Sequence, residues 1–282
     1  MDVVNVVFLT LIMLICVFPF YYLFINTISD NSLSARGLIL LYPRGIHFEN
    51  YVQVFKISGI MQAVLISLVR TLLGTACSVA ASAFLGYLLS KQNMLGHKIV
   101  YRFIIISMYF NAGIIPWYMN MMNLHLLNNF WVYIIPYIVV PYNIILIKTY
   151  MEGISPSLED AAQIDGATPN QTFWKITLPL IRPILVYTLV TSLIGGLQMF
   201  DVPQILTNGK GDPVRSSMTV VMYLNNFIGT SKNYGRAGAV SAIMFVICAV
   251  LCVVIMRTTR GDDERKPKPV KAAKAVKGGK AA

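Results

Sequence analysis

Six long, almost uncharged apolar runs punctuate the chain, and their positions constrain its fold more than anything else. They cover Val3 to Ile28, Ile60 to Leu89, Ile99 to Met122, Phe130 to Tyr150, Leu178 to Phe200 and Ala237 to Met256. Each is long enough to cross ~30 Å of hydrocarbon as a helix. The runs are continuous and do not alternate in ~10-residue units, so helices are expected and barrel strands are not. The expectation is an all-α membrane protein with six transmembrane helices. Composition agrees, because only 12% of the 282 residues are charged and 56% are apolar, too little charge for a water-facing surface. The first run is too long for a signal-peptide core, lacks a basic leader and a small-residue cleavage site, and reads as a retained span.

Charge then sets the orientation. The formal excess of +11 is concentrated at the end of the chain, where Arg257, Arg260, Arg265, Lys266, Lys268, Lys271, Lys274, Lys277 and Lys280 fall within one short stretch. That distribution does not describe a nucleic-acid-binding face. It divides the chain into a transmembrane domain, 1–256, and a basic cytoplasmic tail, 257–282, with the composition of a disordered segment. Anionic lipid headgroups would attract such a tail. The connection bearing Lys91, Lys98 and Arg102 also belongs inside. Both termini are therefore expected in the cytoplasm, although the first three residues carry no Lys or Arg. The four cysteines, Cys16, Cys77, Cys248 and Cys252, all lie in apolar runs and suggest neither a disulfide staple nor a metal site.

One long cytoplasmic segment remains, 151–177, between the fourth and fifth runs. Ser155 with Pro156, or Ser157 with Asp160, can start a helix. That helix places Leu158, Ala161, Ala162 and Asp165 on one side. Gly166 supplies a left-handed stop. Thr168 caps a second helix, with Pro169 at its first position and Gln171 closing a capping box. Two short helices at an angle, projecting into the cytoplasm, follow from these local rules. On spacing alone, an interfacial amphipathic connector fits equally well.

The wording of this segment carries a resemblance. Asp160-Ala161-Ala162, then Gly166, then Ile176-x-Leu178-Pro179 resembles the EAA signature of ABC importer permeases. Leu158-Glu159, Asp165-Gly166-Ala167-Thr168-Pro169, Phe173 and Leu178-Pro179-x3-Pro183 are similar to the carbohydrate, maltose-type branch of that family. Leu41-Tyr42-Pro43, Glu49-Asn50-Tyr51 and Ser67-Leu68-x-Arg70-Thr71 extend the likeness to the six-span sugar permeases. Phe110-Asn111-Ala112-Gly113-x2-Pro116 resembles an oligosaccharide or polysaccharide-oligomer subgroup. Phe200 through Asn208-Gly209 resembles the larger type of subunit, so which half of a permease pair this chain forms stays open.

The resemblance implies that 151–177 is a coupling loop that docks on an ATP-binding subunit. Carried over by position, the docking face is Glu159, Asp160, Ala161, Ala162, Asp165 and Gly166. Asp160 stands where the family usually has Glu, and Glu159 beside it keeps the charge. The implied partners are a second permease subunit, two ATP-binding subunits, an extracytoplasmic substrate-binding protein, the surrounding membrane lipid and a carbohydrate substrate. The chain itself is expected to bind no cofactor, with ATP and magnesium held by the ATPase subunits. It has no phosphate-binding loop of the G-x-x-x-x-G-K-[ST] type, and His47, His97 and His125 form no triad or metal motif. The implied place is the bacterial cytoplasmic membrane.

A sugar site needs amides, carboxylates and aromatic platforms. Gln198, Phe200 and Asp201 are nominated first, at the outer end of the fifth run before a Pro203-containing stretch expected to be irregular. Asn111, Trp117, Tyr142 and Asn143 follow. Arg70, about ten residues into its run, either snorkels outward or lines the aqueous path. The alternative from another class is a stand-alone secondary transporter or channel for a small polar solute. A polytopic membrane enzyme is a distant third, since no catalytic constellation is present.

Overall fold

The computed structural model describes residues 2–91, 94–127, 129–211 and 217–260, and within them it is all-helical, with no strand. Four helices are long and apolar enough to cross a membrane: Val3–Thr27, Ile60–Ser90, Arg182–Leu206 and Tyr234–Thr259. A fifth is added if the pair Phe130–Tyr137 and Pro141–Glu152, bent by 40°, counts as one span. In chain order we label α1 (Asp2–Thr27), α2 (Asn31–Ala35), α3 (Glu49–Lys56), α4 (Ile60–Ser90), α5 (His97–Tyr109), α6 (Ile114–Asn123), α7 (Pro141–Glu152), α8 (Pro156–Ile164), α9 (Pro169–Thr172), α10 (Leu178–Leu180), α11 (Arg182–Leu197), α12 (Asp201–Leu206), α13 (Val220–Gly229) and α14 (Tyr234–Arg260).

Two of the expected runs are broken, each for a local reason. The third splits into α5 and α6. Gly113 sits at φ +82°, and its N–H donates to the Asn111 side chain at 2.9 Å, a turn that interrupts the helix. At 13 and 10 residues, neither half reaches across hydrocarbon alone. The fourth begins as 3₁₀ turns, Phe130–Tyr133 and Ile135–Tyr137, and becomes α-helical only at Pro141. Pro136 and Pro141 each lack the N–H that a continuous ladder needs. The fifth run was expected to end at Phe200; α11 stops at Leu197 and, after Gln198–Phe200, the chain goes on as α12. The stretch around Pro203, expected to be irregular, is helical: Pro203 is the third residue of α12, where a missing N–H costs little. At the far end, α14 continues to Arg260, so Arg257–Arg260 belong to a helix and not to the tail. Residues 261–282 of the expected tail lie outside the described residues.

At the centre, α4 packs most extensively on α7 and α11. One face of α4 is small and polar: Ser67, Thr71, Thr75, Ser78 and Ser82 are buried at helical spacing, and Gly86 continues the line. Small residues let helix backbones approach closely where lipid provides no hydrophobic drive for association. α14 packs on α1, α3, α13 and α11. α3, α4, α13 and α14 share a cluster of Val54, Ile60, Met222, Tyr223, Ala239 and Val240 at one end. Most of α1 is exposed on all sides, from Val3 through Ile15.

A polar knot ties α1, α2 and α3 together beyond these ends. Asn50, 1% exposed, donates to the Thr27 carbonyl (2.8 Å) and accepts from the Asn31 amide (2.6 Å). Asp30 caps α2, and the hydroxyl and backbone N–H of Ser32 hold its carboxyl below the ordinary carboxylate range. Gly235 of α14 lies against Asn31 and Asn50 with no room for a side chain. Replacing Asn50 with Leu leaves a buried carbonyl and a buried amide without partners. The expected cost is about 2–3 kcal/mol, seen as a lower thermal midpoint of the solubilised protein. An unchanged midpoint would show that water replaces both bonds.

Candidate functional site

The breaks in the spans are where the cavities lie. One cavity, of about 510 Å³, opens between α4, the fourth span and the α11–α12 break. Gln198, Phe200, Asp201, Tyr142 and Asn143 all line it, together with Arg70. A second, of about 710 Å³, lies at the α5–α6 break and takes in Asn111, Trp117 and Asp201. The two share Tyr137, Asp201 and Val202. The seven residues nominated from the sequence are thus distributed around two adjoining hollows.

Their surroundings differ. Gln198 and Asp201 are exposed, and Asp201 opens α12, where the helix dipole favours a carboxylate. Tyr142 is half exposed. Asn143 is buried and its amide donates to the Ser192 hydroxyl at 3.2 Å, an interhelical bond between α7 and α11. The Asn111 side chain is committed to the turn at Gly113. Trp117 packs on the cluster of Met121, Val132, Tyr133 and Val202. Hydroxyls and rings, namely Tyr133, Tyr137, Tyr187, Thr75 and Ser78, supply much of the remaining lining of the first cavity. Sequence reasoning missed these. The available signal was the recurrence of Ser and Thr every three or four residues along an otherwise apolar run.

Arg70 does not snorkel. It is 2% exposed, and its guanidinium donates to the Gly196 carbonyl and the Met199 sulfur at the end of α11.

At the other end of α7 stands the elbow, α8 and α9. Gly166 adopts φ +78°, and the Ala167 N–H reaches back to the Ala162 carbonyl at 2.9 Å, closing α8 with a left-handed cap. The Thr168–Gln171 box forms in both directions, at 3.0 and 3.3 Å. At the start of α8 the Ser155 hydroxyl instead meets that of Ser157 (2.7 Å). The second elbow helix has only four residues before a π turn, Phe173–Thr177, carries the chain into α10. Phe173 meets Tyr87 of α4 edge-on at 5.1 Å.

Ala162 is 7% exposed and packs within the elbow, whereas Asp160, Ala161, Asp165 and Gly166 face outward. The side chain of Glu159 lies outside the described residues. Ile164, not among the nominated residues, is 86% exposed at the tip. Above the elbow, buried Lys148 of α7 pairs with Glu152 (2.8 Å) and lies 4.2 Å over the Tyr101 ring, joining α7 to α5.

Against known proteins, residues 1–260 match the family described as binding-protein-dependent transport system inner membrane component. Protein LplC of Bacillus subtilis (strain 168) is 30% identical over 184 residues, 65% of this chain and 62% of LplC. The polygalacturonan/rhamnogalacturonan transport system permease protein YtcP of the same organism is 30% identical over 178 residues, 63% of this chain and 62% of YtcP. The chain thus spans about three fifths of the length of these curated relatives. Among solved structures, a chain of a bacterial ABC transporter involved in import of the acidic polysaccharide alginate superposes with a TM-score of 0.75. It is 26% identical, and the match covers 92% of this chain and 95% of that one.

Proposed function

The chain belongs to the family of binding-protein-dependent transport system inner membrane components, and from that premise we propose that it is a permease subunit of an ATP-driven importer of a carbohydrate, in particular an oligosaccharide. The sugar class is supported by the relatives, one a permease for polygalacturonan and rhamnogalacturonan, another a component of an alginate importer. The observation that carries the reading here is the pair of adjoining hollows at the span breaks, lined by amides, hydroxyls, rings and one carboxylate. Ring faces suit the C–H faces of sugars, and the polar groups suit their hydroxyls.

In this reading α5 and α6 together make one passage and the bent fourth pair another, giving six. Both termini and the elbow face the cytoplasm. A second permease closes the open side of the cavity, a binding protein delivers the sugar from outside, and two ATPase subunits grip the elbows of the pair. The elbow's closed cap and two-way box support its role as a stiff lever, since a floppy loop would not transmit motion.

The test is reconstitution with the partner permease, ATPase subunits and binding protein, followed by ATPase and uptake measurements on a panel of glycans. Stimulation by oligosaccharides is expected; stimulation by none of them would overturn the reading. Replacing Gln198 and Phe200 together with Ala is expected to lower uptake by about tenfold while the complex still assembles. Unchanged transport kinetics would remove both from the path.

A further inference from the structure

The break in span five is held from outside its own helix. Where α11 ends, its last carbonyls lose their intrahelical partners. Gly196 O accepts from the Met199 N–H at 3.2 Å, and it accepts again from Arg70, reaching across from α4. Arg70 also donates to the Met199 sulfur, so one guanidinium bonds on both sides of Leu197 and Gln198. A cation at this helix end is further favoured by the α11 dipole. The Thr71 side chain of α4 is pressed against the α11 backbone at the same point: a Cβ on Gly196 would lie 2.8 Å from Thr71 Cγ2. The residues fixed by this contact are those that follow, Gln198, Phe200 and Asp201, in the lining of the 510 Å³ cavity.

The hold is weak for a buried charge. Arg70 has no carboxylate partner among the described residues, and its Nε has no hydrogen-bond partner. A guanidinium stripped of water and given one neutral carbonyl and a thioether recovers only part of its lost hydration. Water entering the cavity offers it a competing set of partners. The clasped arrangement is therefore balanced between the clasp and the solvation of the cation.

We infer that Arg70 is a positioning residue for transport, which clasps the α11–α12 break while the cavity is closed and releases it when the cavity opens. The inference rests on the importer reading for its consequence, but not for its first measurement. α12, carrying Asp201, moves with the break, and the mouth of the cavity is remade in each cycle. Arg70 acts through the backbone of span five, by its bond to the Gly196 carbonyl.

The experiment uses the full complex in liposomes, in a background with the four native cysteines replaced by Ser, and introduces Thr71→Cys with Gly196→Cys. Thr71 Cβ lies 3.4 Å from the place a Cβ would take at Gly196, close to the ~3.5–4.5 Å separation of a disulfide. Without any sugar, the rate of disulfide formation is expected to fall about tenfold when ATP and vanadate trap the complex. Equal rates with and without nucleotide would overturn the clasp whatever the cargo. With sugar, oxidation is expected to stop uptake and dithiothreitol to restore it, the reduced form serving as the folding control. Uptake that continues at the reduced rate after oxidation would also overturn it. In separate complexes, Arg70→Met is expected to raise KM for uptake about tenfold with maximal ATPase kept, and Arg70→Lys to recover most of the loss. If both variants merely lower the amount of assembled complex and leave KM unchanged, Arg70 is a packing residue. Wild-type uptake reads the importer proposal and the nucleotide-dependent cross-linking reads the clasp, so the two fail separately.

Discussion

An arginine in place of Ala161 is expected to leave the chain folded and paired with its partner permease, while cutting substrate-stimulated ATP hydrolysis and uptake by about thirtyfold or more. Ala161 is exposed on α8, on the side that also carries exposed Leu158 and Asp165, with Ile164 at the tip. In the isolated chain a long cation there meets water, so stability is spared. In the proposed complex it would enter the contact with the ATPase subunit, where it would both clash and lose its hydration. Ala162→Arg tests something else. Ala162 packs inside the elbow, next to the Ala167-to-Ala162 cap, so an arginine there dismantles the lever itself. That variant is expected to lose coupling as well, but with new protease sensitivity across 155–177. If Ala161→Arg keeps full stimulation and uptake, the ATPase subunit does not grip this face.

The contrast between those neighbouring alanines shows how far the sequence reaches. Capping chemistry is local, so Gly166 and the Thr168–Gln171 box could be placed from residue types alone, and both form. Which of two adjacent alanines turns inward depends on the angle between α8 and α9, and no local rule supplies that. The same division holds for the spans. α1, α4 and α14 were legible because lipid demands long apolar runs and nothing interrupts them. The breaks at Asn111–Gly113 and at Pro136 and Pro141 were hidden because hydropathy reports what surrounds a helix and not whether its ladder is continuous. Candidate site residues were found by side-chain chemistry. Arg70 shows the limit of that approach: its environment is set by Gly196 and Met199, more than 120 residues away. The polar line on α4 was readable in principle, since Ser67, Thr71, Thr75, Ser78 and Ser82 recur at one turn's spacing.

Gly86→Leu is expected to prevent accumulation of a folded permease. A Cβ at Gly86 would lie 2.9 Å from Ile147 Cγ2 and 3.3 Å from the Ile144 carbonyl, and both isoleucines are fully buried. Ile147 is β-branched and helical, so its χ1 cannot swing clear. Even Ala is expected to cost about 1–3 kcal/mol of overpacking, and Leu must push α7 bodily off α4. The displacement would not stay at the contact. Ile147 also joins Met151 and Ile181 in the small cluster that seats both ends of the elbow segment, and Tyr87, Ala83 and Leu178 pack around it. Lys148, one residue on, ties α7 to Tyr101 of α5. A shift of α7 therefore strains the membrane packing and the base of the lever together. Size-exclusion chromatography and thermal melting of the solubilised complex read the outcome, with Gly74→Ala as the control. A Cβ at Gly74, on the same helix, meets nothing within 4 Å, and its melting point is expected to hold or rise because Ala favours helix over Gly by about 1 kcal/mol. Wild-type melting of Gly86→Leu would show that α4 and α7 are free to separate, and that their spacing is set by the partner subunit instead of by this glycine.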